Sequence, residues 1–441
     1  MALYYPNSKK INTGEKTMPR IPVPAGIMTK IFILDDNALP MIPEVLTELW
    51  SGRTPWIVAD GNTWQAAGEK VQKILEDAGL SPAVPLILPA APKPHPDYAL
   101  ACQIADMIRE NFVPVAVGSG VINDLVKTAA GIKNIGYCCV PTAPSVDGYT
   151  SKGSAMSVYG SKKTVPCPAP MAVVADKEVL LSAPAEMAAA GYADLAAKVV
   201  AGADWIIADA LKQDPIIPAT WAVVQKDLRE WLADSTDLKA VFMGLATTGY
   251  AMQLHDDSRP ASGSEHMFSH VWEMEGLQFN GEEVSHGFKV SVGTIITLRL
   301  MQYFLSLTAE EARALADAPQ SWEEREKEIN ELLKQGCYGD APAEFSKEKF
   351  LPPAEALERR KEIYAVWNSL QQDVARQLGD QQALIDSLKK ASCPTEPEEI
   401  GLSREQFIHG IFTAQLIRKR YNILELLFDA GLLKKAVKEM F

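Results

Sequence analysis

Residues 113–117 (VPVAV) run directly into Gly118-Ser119-Gly120 and then into a helical pattern, VINDLVKTAA. No other stretch constrains the fold as much. A short, wholly apolar run bounded by turn signals fits a strand buried on both faces, as in a parallel sheet. Glycines let the chain turn tightly, and the N–H groups at the start of the following helix favour an anion such as phosphate. The Gly-Ser-Gly turn is shorter than the full G-x-G-x-x-G fingerprint, so it equally suits a tight strand–helix turn with no ligand.

The same alternation recurs around it. Trp56–Ala59 is apolar and ends in Asp60-Gly61-Asn62, a turn, followed by the helical GEKVQKILEDAGL. Val84–Leu88 is the next strand candidate, with a Pro-rich loop and a helix across Tyr98–Glu110 behind it. Ile135–Val140 opens into PTAPSVDGYTSKGSA, a long polar loop, and Met171–Val174 is the last strand candidate. Residues 1–30 read as an irregular lead-in. In open α/β sheets ligands bind beyond the C-terminal strand ends. Thr142, Ser145 and Ser151 are therefore candidates to hydrogen-bond a nucleotide, and Asp147 a substrate hydroxyl, although Asp147-Gly148 also reads as a simple turn.

From Pro184 the chain becomes helical and Ala-rich. Helical patterns continue through 218–253, 290–317, 321–335, 353–390 and 403–440, with few strand signals. The predicted architecture is an α/β domain with a mostly parallel sheet over 1–180, followed by an all-α domain over 181–441. Asp194 lies on an apolar helix face, where a carboxylate needs a partner: a bound cation, or Lys198 one turn on. His266 and His270 share a helix face by their spacing, and His286 follows a loop. Two helical imidazoles and a third hold an ion if a carboxylate joins them. Without one, the pair reads as surface histidines on a Glu-rich helix.

Composition narrows the partners. A formal charge of −13 over 441 residues argues against nucleic acid or an anionic membrane surface as the main partner. Six scattered cysteines with no C-x-x-C pair fit reduced thiols in a cytoplasmic protein. MALYYPNSKKINTGEK carries no apolar core of a signal peptide, and no charge-free apolar run reaches the ~18 residues of a membrane span.

The segments GSGVINDLVK, VPTAPSVDGYTS, GYADLAAKVVAGADW, SRPASGSEHMFSHVWEM, HGFKVSVGT and IRKRYNILELL occur in this order. With them the chain resembles the bacterial sn-glycerol-1-phosphate dehydrogenases, in the superfamily of iron-containing alcohol dehydrogenases, glycerol dehydrogenase and dehydroquinate synthase. That resemblance implies a divalent metal held by Asp194, His266 and His286. It implies NAD(H) or NADP(H), with the pyrophosphate on Gly118, Ser119 and Gly120 near Asp124 and Lys127. Thr142, Ser145 and Ser151 are implied on the nicotinamide or ribose side, Asp60 on the adenosine side, and Asp147 against the substrate. A cytoplasmic homodimer is implied as well. Phe288 stands where the family usually has Glu, and GYAD where GFGD is common.

The chemistry follows from the residue types. One carboxylate and two imidazoles leave coordination positions open, as a catalytic metal needs, and a Lewis acid there polarises a substrate carbonyl for hydride transfer. His270 is a candidate proton relay, or else a packing histidine. Zinc fits the ligand set best, with nickel or iron also compatible. The resemblance implies that the reaction is reduction of dihydroxyacetone phosphate, a phosphorylated three-carbon substrate, to sn-glycerol 1-phosphate. The rivals are a glycerol or polyol dehydrogenase, an aldehyde- or phosphonate-reducing relative, and a nucleotide-binding regulator without activity. For the phosphate, Arg259, Lys152 and Lys289 are basic residues near the motif loops, or else ordinary surface cations.

Overall fold

The structure is a computed structural model that describes residues 19–158 and 161–441. Most of the N-terminal lead-in, including the stretch read for a signal peptide, lies outside the described residues. Eight strands occupy the first part of the chain: β1 (Ile31–Asp35), β2 (Thr54–Asp60), β3 (Leu86–Leu88), β4 (Phe112–Gly118), β5 (Cys138–Pro141), β6 (Ser154–Val158), β7 (Ser161–Val165) and β8 (Ala172–Asp176). Six form one sheet in the order β1-β8-β5-β4-β2-β3, every pairing parallel.

The apolar runs become strands because both faces of this sheet are covered. Alternate residues feed two separate cores. Phe32, Leu34, Val58, Ala116, Cys139 and Val173 face one. Ile31, Ile33, Ile57, Val115, Val117, Val140 and Val174 face the other. Each fully buried side chain of this size contributes roughly 1.5–3 kcal/mol. Parallel register brings Asp60, Gly118, Pro141 and Asp176 to one edge of the sheet, where the loops lead into the helices.

After Asp176 every described element is helical, apart from a short antiparallel ladder of Gln278–Phe279 with Glu282–Glu283. A large core of helix-borne side chains, among them Trp272, Phe304 and Trp367, holds this part together. The helix Leu238–His255 joins it to the sheet: Phe242, Ala246 and Tyr250 belong to one of the sheet's two cores, and the Tyr250 ring stands edge-on to Phe32 at 5.9 Å. Among the described residues, no single helix is long and apolar enough to cross a membrane. All six cysteines are free thiols.

Several expectations are corrected in detail. The strand Ile31–Asp35 begins the sheet ahead of the first predicted strand. The polar loop after β5 is not irregular throughout: it contains a 3-10 turn, Asp147–Tyr149, and leads into the antiparallel ribbon β6–β7. Long helical tracts are broken by local signals. Gly379 at φ 61° ends Pro353–Leu378. A Thr308–Glu311 capping box starts a new helix after Ser306.

Candidate active site

β4 ends at Gly118, and Ser119 opens the helix Gly120–Lys133 in an extended conformation with no side chain capping it. The first intrahelical bond is Asn123 N–H to Ser119 O, at 3.0 Å, so the N–H groups of Gly120, Val121 and Ile122 find no acceptor inside the helix. The glycines serve packing as well. A Cβ on Gly118 would lie 2.4 Å from that of Ile122, and one on Gly120 2.9 Å from Val146 Cγ2.

The loop after β5 crosses this turn. Thr142 N–H donates to Gly118 O at 3.1 Å. Lys127, wholly buried, donates from Nζ to Gly148 O (2.7 Å), Gly153 O (3.1 Å) and Ser151 Oγ (3.2 Å), and pairs with Asp124 at 3.3 Å. Ser145 Oγ pairs with Tyr149 Oη at 3.0 Å, and Ser151 Oγ donates to Gly148 O at 3.1 Å. These contacts fix the loop that carries Asp147. Asp60, at the end of β2, spends Oδ1 on a capping box, accepting from Asn62 N–H and Thr63 N–H at 2.8 and 2.9 Å.

Asp194 approaches from the helix Ala185–Ala196, fully buried. Its Oδ2 accepts from Asp147 N–H at 2.9 Å, and its Oδ1 from Lys198 Nζ at 2.7 Å. Lys198 also stands 2.7 Å from Asp147 Oδ2. His266 lies on the helix Ser264–Met274 with Nε2 3.5 Å from Asp194 Oδ1, and its Nδ1 is 2.7 Å from Glu265 Oε1. His286 begins the next long helix, with Nδ1 3.1 Å from Glu273 Oε1 and 3.2 Å from Ser269 Oγ. The two imidazole rings are 5.3 Å apart. Asp194, His266 and His286 each offer a ligand atom within 4.8 Å of the others. Around one zinc ion such atoms stand about 3.4 Å apart, so small side-chain rotations close the set, and its donor chemistry fits a divalent cation.

The electrostatics is that of a tight charge cluster. Burial alone lifts Asp194, but Lys198, His266 and His286 hold it far below the usual carboxylate range. Burial depresses His266, yet its hydrogen bonds to Asp194 and Glu265 outweigh this and raise it to about 9. His270 is pushed down to about 3 by burial, against the opposing hydrogen bond to Glu273, with Arg418 adding to the depression. It lies beside the three rather than among them, its ring 6.4 Å from His266 and 6.2 Å from His286, with Nδ1 3.3 Å from Glu273 Oε2.

The structure thus gathers Asp147, Asp194, His266 and His286 at one point and sets His270 beside them. Gly118–Gly120 and Asp124 sit at the loop that carries Asp147. Sequence reasoning passed over Glu265 and Glu273, which hold the two imidazoles. Glu273 follows His266 and His270 at helical spacing, and that was the available signal. Phe288 packs against the helical core, half-buried.

Residues 33–184 match the family described as iron-containing alcohol dehydrogenase. The chain is 34% identical over 274 residues to the glycerol-1-phosphate dehydrogenase [NAD(P)+] of Bacillus licheniformis, covering 60% of this chain and 68% of that one. It is 34% identical over 348 residues to that of Geobacillus thermodenitrificans, covering 76% and 82%. Its fold is similar to the iron-containing alcohol dehydrogenase of Thermococcus thioreducens, with TM-score 0.57 and 15% identity over 93% of this chain and 99% of that one. A parallel sheet ending on a bare helix start, a buried Asp-His-His cluster beside it, and relatives that match across both parts lead to one assignment: the chain is an oxidoreductase of the glycerol-1-phosphate dehydrogenase family, within the iron-containing alcohol dehydrogenases.

Proposed function

We propose that this enzyme reduces dihydroxyacetone phosphate to sn-glycerol 1-phosphate with NADH or NADPH, reversibly, and that Asp194, His266 and His286 hold one divalent ion for the purpose. The observation that carries the reading is the convergence of those three side chains on one another, with Asp194 bonded to Asp147 N–H in the loop after β5. The names of the relatives supply the substrate class. When bound, the ion supplies Lewis acidity toward a substrate oxygen, and the dinucleotide supplies the hydride. Zinc suits a two-His, one-carboxylate set, and nickel or iron is compatible with it.

The chain's own residues do the rest. The uncapped start of the Gly120 helix receives the dinucleotide's pyrophosphate. Lys127 holds the 148–153 loop across it. Asp147, tied through Lys198 to Asp194, orients a substrate hydroxyl. His270, beside the set with its ring 6.2 Å from His286, is the proposed relay for the hydroxyl proton toward solvent. A homodimer and a division near residue 180 belong to the same reading. Light scattering tests the first, and limited proteolysis the second.

The decisive assay follows NADH oxidation with dihydroxyacetone phosphate, dihydroxyacetone and simple aldehydes. A clear preference for the phosphorylated ketone is expected; a preference for glycerol-type or aldehyde substrates would replace the reading. His286→Ala should strip the metal and abolish turnover while dinucleotide binding survives. Full metal content and activity in that variant would defeat the metal assignment.

A further inference from the structure

The proposed substrate carries a phosphate dianion into an acidic protein, and the cations first suggested by the sequence are all engaged elsewhere. Arg259 is buried, bonded to Asp204 O and Tyr421 O and paired with Asp214. Lys152 pairs with Asp256 at the surface. Lys289 pairs with Glu273 at 3.1 Å. Lys198 is held between Asp194 and Asp147, and Lys127 by loop carbonyls.

We propose that Arg418 is the residue that receives the substrate's phosphate, an inference that rests on the functional reading above. Its position comes from the run of the chain beside the His266 helix. On the helix Arg404–Ala414, His409 Nε2 lies 3.0 Å from Glu275 Oε1, and a Cβ on Gly410 would meet Trp272 Nε1 at 2.7 Å. Further on, Arg420 donates to Ser262 O at 2.7 Å and to Ser258 Oγ at 3.0 Å. The segment 409–420 therefore runs antiparallel to 262–275, from the C-terminal end of the His266 helix to just before its start. Arg418 falls between these anchors, close enough to that helix for its charge to act on His270 and for Glu273 to act on it.

Its backbone is pinned there. Lys349 Nζ donates to Arg418 O at 3.0 Å, and Leu416 and Ile417 are buried. Its guanidinium, half-buried, has no hydrogen bond or ion pair among the described residues. Burial, then the neighbouring Arg420, pull it down to about 10, against the opposing charges of Asp257 and Glu273. His270 feels its charge. A planar fork of donors near His270 and Glu273 is suited to bidentate capture of phosphate, which would leave the carbonyl toward Asp194, His266 and His286.

The test compares kcat/KM for dihydroxyacetone phosphate with that for unphosphorylated dihydroxyacetone. In Arg418→Met the ratio should fall by roughly 10- to 100-fold, as expected for loss of charge-assisted bonds. Arg418→Lys keeps the charge but loses the fork, and should lie between. NADH titration by fluorescence reports whether each variant is folded. An unchanged ratio in a folded variant overturns the proposal; should the Met variant not fold, the Lys variant alone decides it on the same criterion. A wild-type enzyme with no preference for the phosphorylated ketone would remove the functional reading instead. Arg418 is then judged by calorimetric titration of inorganic phosphate: weaker binding to the variant sustains it, and equal binding to both chains overturns it.

Discussion

Glu265 shows how much a single side chain decides at this site. It is fully buried, and its Oε1 takes the N–H of Gly263 and faces His266 Nδ1, each at 2.7 Å. Its Oε2 has no hydrogen-bond partner. A carboxylate in this place keeps the proton on Nδ1, so Nε2, which faces Asp194, is the nitrogen that would give up its proton to bind an ion there. Glu265→Gln should keep the fold but weaken metal binding by about 10–100-fold, the usual effect of losing such a partner. Competition with a chromophoric chelator measures this directly, and an unaltered affinity would show that Glu265 only packs. The three residues proposed as ligands were read from the sequence as a set through the family motifs. Lys198 was legible from its spacing to Asp194. Arg418 was not singled out, although it lies in the IRKRYNILELL segment, since only the path of the chain beyond the helix Arg404–Ala414 brings it toward His270.

Between elements, the site depends on three glycines that let backbones nearly touch. A Cβ on Gly191 would sit 1.7 Å from Pro144 O, one on Gly287 2.0 Å from Ala190 O, and one on Gly249 1.9 Å from Thr150 Oγ1. The Asp194 helix is thereby pressed against the loop that carries Asp147 on one side and the His286 helix on the other. Gly191→Ala should force the loop and helix apart, costing about 1–3 kcal/mol of stability and loosening the metal as Asp147 and Asp194 separate. Thermal melts with and without added zinc read both effects; a wild-type melting temperature and wild-type metal retention would refute the close-packing argument. The buried central strands were legible because both faces are apolar. The polar ribbon β6–β7, whose strand register rests on backbone bonds rather than on an apolar pattern, was not. The breaks in the long helices were encoded locally, in Gly379 and in the Thr308–Glu311 box, but periodicity alone runs across them.

For the whole molecule, the clearest electrostatic consequence lies away from the chemistry, in the C-terminal helices that close the helical core. Asp429 ends the helix Ile423–Asp429 and accepts from Tyr421 Oη at 2.9 Å. Its backbone carbonyl accepts from Arg360 Nε at 2.9 Å, tying this end of the chain to the long helix Pro353–Leu378. Burial, and then the neighbouring Glu425, raise the Asp429 carboxyl to about 7. The folded form therefore binds this proton more tightly than the unfolded chain, whose carboxyl titrates near the ordinary 3.8. Its contribution is most favourable below that value and is lost as pH rises from about 4 through 7. Asp194, held low, acts in the opposite sense, and only where pH falls below the ordinary carboxylate range. Asp429→Asn keeps an acceptor for the Tyr421 hydroxyl but cannot ionise. Relative to wild type it should gain stability steadily between pH 4 and 7, by up to about 4 kcal/mol, with little difference at pH 4. Urea unfolding at a series of pH values measures that divergence, and parallel curves for the two chains across the window would mean that Asp429 is not the group under strain.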